Sequence, residues 1–173
     1  MDERENRWRA MTRADLPRVT ALADAVHLGH PERPEVFAER LALFAAGSLV
    51  LADAADRVVG YAVAHPWGAG IPPLLDTLLG ALPEAAEVLH LHDLVVAPEA
   101  RGAGASGVAI RRLATVALDR RLFRLTLVAV DGADRLWRRT GFDPTEGMPV
   151  APIRASYGAD AIAMTAPAAR FVG

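Results

Sequence analysis

The residues best suited to chemistry lie in one stretch, Leu91 to Leu118 (LHDLVVAPEARGAGASGVAIRRLATVAL). An apolar run ends at Val96, a short loop containing Pro98 follows, and Arg101-Gly102-Ala103-Gly104-Ala105-Ser106-Gly107 then opens an amphipathic helix. Glycines without Cβ let backbone N–H groups approach a ligand closely. The helix start adds unpaired donors and the positive end of the dipole. Together these make an anion site suited to a phosphate or pyrophosphate. Read literally, Gly102-x-Gly104-x-x-Gly107 also matches a dinucleotide-binding fingerprint, which would make the chain a nicotinamide-dependent oxidoreductase. The context argues against that reading. In the fingerprint the first glycine directly closes a strand at the start of a domain. Here Pro98 to Arg101 intervene, and much of the chain comes first.

Other polar residues carry weaker signals. His90-x-His92 puts two imidazoles on one strand face, a geometry that can bind a metal, but no third ligand is evident and no metal is expected. His27 and His30 flank a helix end and a turn, where capping or solvent exposure is the expectation. Arg111-Arg112 and Arg120-Arg121 read as a solvated helix face.

Composition bounds what these residues can serve. The chain has 173 residues, with 19 basic against 21 acidic side chains and a formal charge of −2. That length fits one domain, residues 1–173, with a core of useful size. The charge balance lacks the clustered positive charge of a nucleic-acid binder. Cysteine is absent, which excludes a disulfide framework, a thiolate nucleophile and Cys-ligated zinc. No run of 18 or more apolar residues exists, so no membrane span is expected. The first residues, MDERENRWRA, lack the apolar stretch of a signal peptide, and a cytoplasmic location is the expectation. Every basic residue is arginine, so the chain offers no lysine side chain of its own for acylation.

The elements that must position the loop follow from patterning. Arg7 to Arg13 reads as a strand, and a helix runs from an Asp15 cap to Val26. A second helix spans Glu35 to Ala45, ended by Gly47. Ser48 to Ala52 and Arg57 to His65 form a hairpin. Leu74 to Leu82 reads as a short inserted helix. Glu87 to Val96 is a strand, Gly104 to Arg120 a helix, Leu122 to Val130 a strand and Ala133 to Thr140 a short helix. A Pro/Gly-broken segment follows, and Asp160 to Ala166 is the last strand. This order predicts an α/β fold with a mixed sheet rather than a parallel βαβ series.

The arrangement resembles the GCN5-related N-acetyltransferase (GNAT) family. Leu94-Val95-Val96-Ala97-Pro98-Glu99-Ala100-Arg101-Gly102-Ala103-Gly104-Ala105-Ser106 is similar to the family's strand, loop and Arg/Gln-x-x-Gly-x-Gly/Ala block, with Ser106 in place of the last small residue. Val130-Asp131-Gly132-Ala133-Asp134-Arg135-Leu136-Trp137-Arg138-Arg139-Thr140-Gly141-Phe142 is similar to its strand followed by Asn-x-x-Ala…Tyr-x-x-x-Gly-Phe. Arg57-Val58-Val59-Gly60-Tyr61 looks like its third strand. The resemblance implies a mixed central sheet flanked by helices, with a splay between two middle parallel strands ending near Val96 and Val130.

It further implies an acetyl-CoA-dependent N-acetyltransferase that moves an acetyl group directly to a primary amine of a small molecule, peptide or protein. Acetyl-CoA as co-substrate would lie along Leu94, Val95 and Val96, with its pyrophosphate on the amides of Arg101, Gly102, Ala103, Gly104, Ala105 and Ser106; the paired arginines could neutralise a CoA phosphate. The family draws its base from the position of His92 and Asp93. Neighbours on a strand face opposite sides, so one of the two enters the acceptor site unless a bulge intervenes. His65 and Trp67, closing the third strand, and Tyr157 are the candidate substrate contacts. The Leu74–Leu82 element would shape that pocket or a homodimer contact. Two departures stand out. Trp137 replaces the usual Tyr acid, so that Tyr157 or solvent would protonate the leaving thiolate, and Asp131 replaces an Asn and is expected to cap the next helix. These departures motivate a rival, a non-catalytic acyl-CoA sensor on the same scaffold.

Overall fold

The computed structural model describes residues 6–102 and 104–173. Seven strands form one sheet: β1 (Arg7–Ala10), β2 (Ser48–Ala52), β3 (Val58–Trp67), β4 (Val88–Val96), β5 (Arg124–Ala129), β6 (Asp143–Pro144) and β7 (Ile162–Pro167). Their order is β1-β2-β3-β4-β5-β7-β6, antiparallel throughout except for the β4–β5 pair. A doubly wound parallel sheet, which the dinucleotide fingerprint requires, is therefore not the architecture.

Among the described residues five α-helices connect and cover the strands: α1 (Leu16–Val26), α2 (Pro34–Leu43), α3 (Ala105–Asp119), α4 (Asp134–Thr140) and α5 (Val150–Tyr157). Helices α1 and α2 pack on β3, and α3 packs on β4 and β5. Trp8 and Arg9 alternate across β1 and show the two faces. The Trp8 indole donates to the Ala105 carbonyl at the start of α3 (2.8 Å), while Arg9 grips Asp15 ahead of α1 (2.8 and 2.9 Å). Covered on both sides, β3 is buried along nearly its whole length, as its continuous apolar run requires.

The structure departs from the sequence reading at four elements. The first strand stops at Ala10 because Asp15 draws the chain into a 3-10 turn. Its carboxylate accepts from the Thr12 amide and hydroxyl (2.8 and 2.9 Å), so Asp15 serves that turn and makes no side-chain cap on α1. The second helix ends at Leu43, and Gly47 lies in a separate 3-10 turn where the chain presses on β3. Leu74 to Leu82 forms no helix. Its backbone amides are taken by side chains from elsewhere: Leu75 by Ser156, Asp76 by Glu32, and Leu79 and Gly80 by Glu39. Finally, the Pro/Gly-broken segment contains α5, with Pro152 in the first turn, where a helix has no use for the missing N–H.

Two consequences can be measured. A Cβ on Gly47 would sit 2.0 Å from the Ala64 carbonyl oxygen, so Gly47→Ala forces a backbone shift. Overpacking of this kind lowers unfolding stability by about 1–3 kcal/mol, read from urea denaturation. The Arg9 hydrogen bond, as the largest influence, holds the Asp15 carboxyl down from 3.8 to about 2. The stability it contributes is full above the unfolded value and is lost as pH falls through about 2. Asp15→Asn should flatten the acid limb of the urea midpoint in that window.

Candidate active site

The site begins with what β4 does to its neighbours. It pairs with β3 along its length but with β5 at only two positions, Leu89 with Leu125 and His90 with Thr126. Beyond them the two parallel strands part. The opening is a cleft of about 330 Å³, bordered by Leu91 to Leu94 of β4, by Leu127 and Val128 of β5, and by Val130 just beyond. On the β3 side, Val63 pairs with Asp93 and Ala64 with Leu91, so His92 has no partner and forms a bulge. A bulge turns a strand locally, and consecutive side chains end up on the same side. His92 reaches Glu32 between α1 and α2 (2.8 Å), and Asp93 reaches His27 at the end of α1 (2.9 Å). The alternation expected of an unbulged strand is thus broken at the two residues that matter.

The cleft lining is polar at its inner end. His27, His30, Glu32, His92, Asp93, Asp131 and Tyr157 border it, with Leu75, Leu136 and Trp137 as apolar walls. Asp93 receives His27 Nε2 on one oxygen and the Tyr61 hydroxyl on the other (2.5 Å). Burial pushes its carboxyl up, but the hydrogen bonds from His27 and Tyr61 and the nearby imidazoles outweigh that and hold it below the ordinary carboxylate value. The same bond raises the His27 imidazole against the opposing effect of burial. The His92 side chain is only 1% exposed, with Nε2 on Glu32 and Nδ1 buried without a partner. His30 donates to the Tyr157 carbonyl (2.7 Å) and lies 3.5 Å from Asp131. His27 and His30 are therefore built into the cleft instead of capping in solvent.

The other candidates separate. His65, on β3, is fully buried with its ring 5.6 Å from that of His90 and 6.3 Å from that of His92, and desolvation pushes it down to about 3. Trp67 donates to the Ile71 carbonyl (3.1 Å). Neither borders the cleft. Tyr157 does, but its hydroxyl donates to the Pro73 carbonyl and burial raises it above the ordinary phenol value. Trp137 packs edge-on against Phe142. Asp131 does not cap α4, whose first flanking residue is Ala133; its carboxylate faces His30. His90 is bonded to Thr126 (3.1 Å), away from the Glu32 contact of His92. Among the described residues no three His, Asp or Glu converge as metal ligands, and no helix is long and apolar enough to cross a membrane.

At the outer end, β4 runs through Val95 and Val96, both buried, into the glycine loop. Ala103 lies outside the described residues. Gly102 and Gly104 have φ of +97° and +68°, conformations that favour glycine, and nothing stands within 4 Å of a Cβ built on either. Helix α3 makes its first i→i−4 bond from the Val108 amide to the Gly104 carbonyl (3.2 Å). The amides of Ala105, Ser106 and Gly107 precede that bond and point out of the helix end. Arg101 Nε donates to the Val96 carbonyl (3.0 Å), which ties its side chain back to the end of β4. Here the chain can hold an anion.

The sequence signals missed in this site were His27, Glu32 and Tyr61. They stand 66, 60 and 32 residues from their partners on β4, and only the polar Glu32 next to His30 and Pro31 hinted at more than a turn.

Comparison with known proteins agrees with this geometry. Ard1 from Thermoplasma volcanium superposes with a TM-score of 0.69 at 15% identity, over 94% of this chain and 97% of its own. Naa20 from Chaetomium thermophilum, solved with a bisubstrate analogue, gives 0.69 at 18% identity, over 95% and 88%. A phosphinothricin acetyltransferase from Sinorhizobium meliloti, solved with AcCoA, gives 0.66 at 20% identity, over 94% and 88%. A search of curated proteins finds no match in sequence. The family model described as Acetyltransferase (GNAT) family matches residues 11–142. That match spans most of the chain, and the chain belongs to the GNAT family of acetyltransferases.

Proposed function

We propose that this chain transfers an acetyl group from acetyl-CoA to a primary amine, on a small molecule or a peptide, held between the α1–α2 connection and β4. The observation that carries the reading is the parting of β4 from β5, with unpaired helix amides at one end of the gap and a carboxylate–imidazole cluster at the other. The residues present fit the co-substrate. The edge of β4 from Leu94 to Val96, without a β5 partner and with only the Val96 carbonyl engaged by Arg101, suits an extended pantetheine, and the loop from Arg101 to Ser106 suits its diphosphate. When bound, acetyl-CoA supplies the thioester carbonyl as the electrophile.

The chain's own groups do the rest. The charges of Glu32, Asp93 and Asp131 attract an ammonium to the inner end of the cleft. An amide on the unpaired β4 edge donates to the carbonyl oxygen. Indole is no acid at neutral pH and the Tyr157 hydroxyl is committed to Pro73, so the departing thiolate takes its proton from water. The lack of a free phenol favours one alternative, the non-catalytic acyl-CoA sensor.

The test follows free thiol with acetyl-CoA and a panel of small amines and short peptides, against controls without amine and without enzyme. Amine-dependent thiol release is the expected result. Tight acetyl-CoA binding without release points to the sensor. In parallel, Gly104→Val imposes a φ of +68° on a β-branched residue. The strain of about 1–3 kcal/mol should weaken acetyl-CoA binding by roughly tenfold or more while leaving the fold intact.

A further inference from the structure

The cleft contains an imidazole–carboxylate pair whose chemistry goes beyond attraction of an amine. His27 follows the last turn of α1 and directs Nε2 at Asp93 Oδ1 (2.9 Å), while the Tyr61 hydroxyl holds Oδ2 (2.5 Å). An ionised carboxylate only accepts hydrogen bonds, so Nε2 carries the proton and a neutral His27 keeps its lone pair on Nδ1. Nδ1 has no hydrogen-bond partner among the described residues, and the ring borders the cleft with 24% of its side chain exposed. The two β4 residues are less suited to take a proton. His92 is sealed, one nitrogen on Glu32 and the other buried. Asp93 has both oxygens engaged and is held in its weakly basic, ionised form.

We propose that His27 is the general base for the acceptor amine and that Asp93, braced by Tyr61, is a positioning residue that fixes its tautomer and orientation. This rests on the acetyl-transfer reading. The bound ammonium first releases one proton to water, and as the neutral amine nitrogen forms its bond to the acetyl carbon, a second N–H proton passes to His27 Nδ1. The C–S bond breaks, the thiolate leaves with the electron pair and is protonated by water. The imidazolium, paired with Asp93, then returns its proton to solvent. The charged groups facing His27 are Asp93 on β4, Glu32 between α1 and α2, and Asp131 after β5. All three carboxylates favour the imidazolium and make His27 a stronger base than free imidazole.

His27→Gln separates chemistry from structure, because its amide nitrogen can still donate to Asp93 but offers no basic site. Wild type, His27→Gln, His27→Ala and Asp93→Asn are compared in kcat/KM for the best amine of the panel between about pH 5 and 9, with acetyl-CoA affinity measured separately. Loss of a general base lowers kcat/KM by about 10²- to 10⁴-fold. That loss is expected in His27→Gln, with the acid limb abolished and acetyl-CoA affinity unchanged. Added imidazole should restore part of the rate to His27→Ala, and Asp93→Asn should move the limb to lower pH. Wild-type rates with the limb in place in His27→Gln overturn the assignment and leave acetyl transfer standing. An unmoved limb in Asp93→Asn overturns the positioning role. A wild type that binds acetyl-CoA yet releases no thiol with any amine overturns the acetyl-transfer reading, and this assignment with it.

Discussion

The partnering of β4 governs the rest of the molecule. A central strand ordinarily satisfies its backbone on both sides, and a buried N–H or C=O without a partner is costly. β4 does so against β3 from Val88 to Val96, yet it exchanges only two pairs with β5 before the strands diverge. The open stretch is a row of donors and acceptors in an otherwise apolar sheet. It is tolerable only where water or an extended ligand reaches it. That makes the gap a place for a linear, hydrogen-bonding molecule, and the helix start beyond Gly104 terminates it with donors for an anion.

The bulge at His92 adds the second feature. Without it, Asp93 and His92 would diverge across the sheet and only one would meet the α1–α2 connection. With it, three carboxylates and three imidazoles come together around the inner end of the cleft. Next to the cluster the interior is apolar enough to keep His65 and His90 neutral, both pushed down chiefly by desolvation.

A buried cation organises the wall opposite. Arg40 on α2 is fully buried, paired with Glu39 (2.6 Å) and donating to the Thr77 carbonyl (2.8 Å). A buried charge is costly unless paired and hydrogen-bonded. Those bonds, with the amides captured by Glu32 and Glu39, hold residues 74–82 in an irregular path that brings Leu75 to the cleft. A leucine-rich run with acceptable helix propensity loses that competition because its amides find carboxylates outside the segment, and local propensity is a weak prior against tertiary hydrogen bonds.

Local signals were legible in the sequence wherever the cause is local. The apolar strand into Val96, the glycines that adopt positive φ, the α3 periodicity and the Trp137 and Asp131 departures each depend on residues a few positions apart. From them the family, the sheet class and the glycine turn ahead of α3 followed. Tertiary structure alone decided the rest: that His92 bulges, that Asp93 binds His27 and Tyr61, that His65 is sealed in the core, and that Tyr157 commits its hydroxyl to Pro73. Each of these depends on which distant group stands opposite a side chain. Strand register and helix packing determine that, and neither leaves a mark in the spacing of residues along one chain.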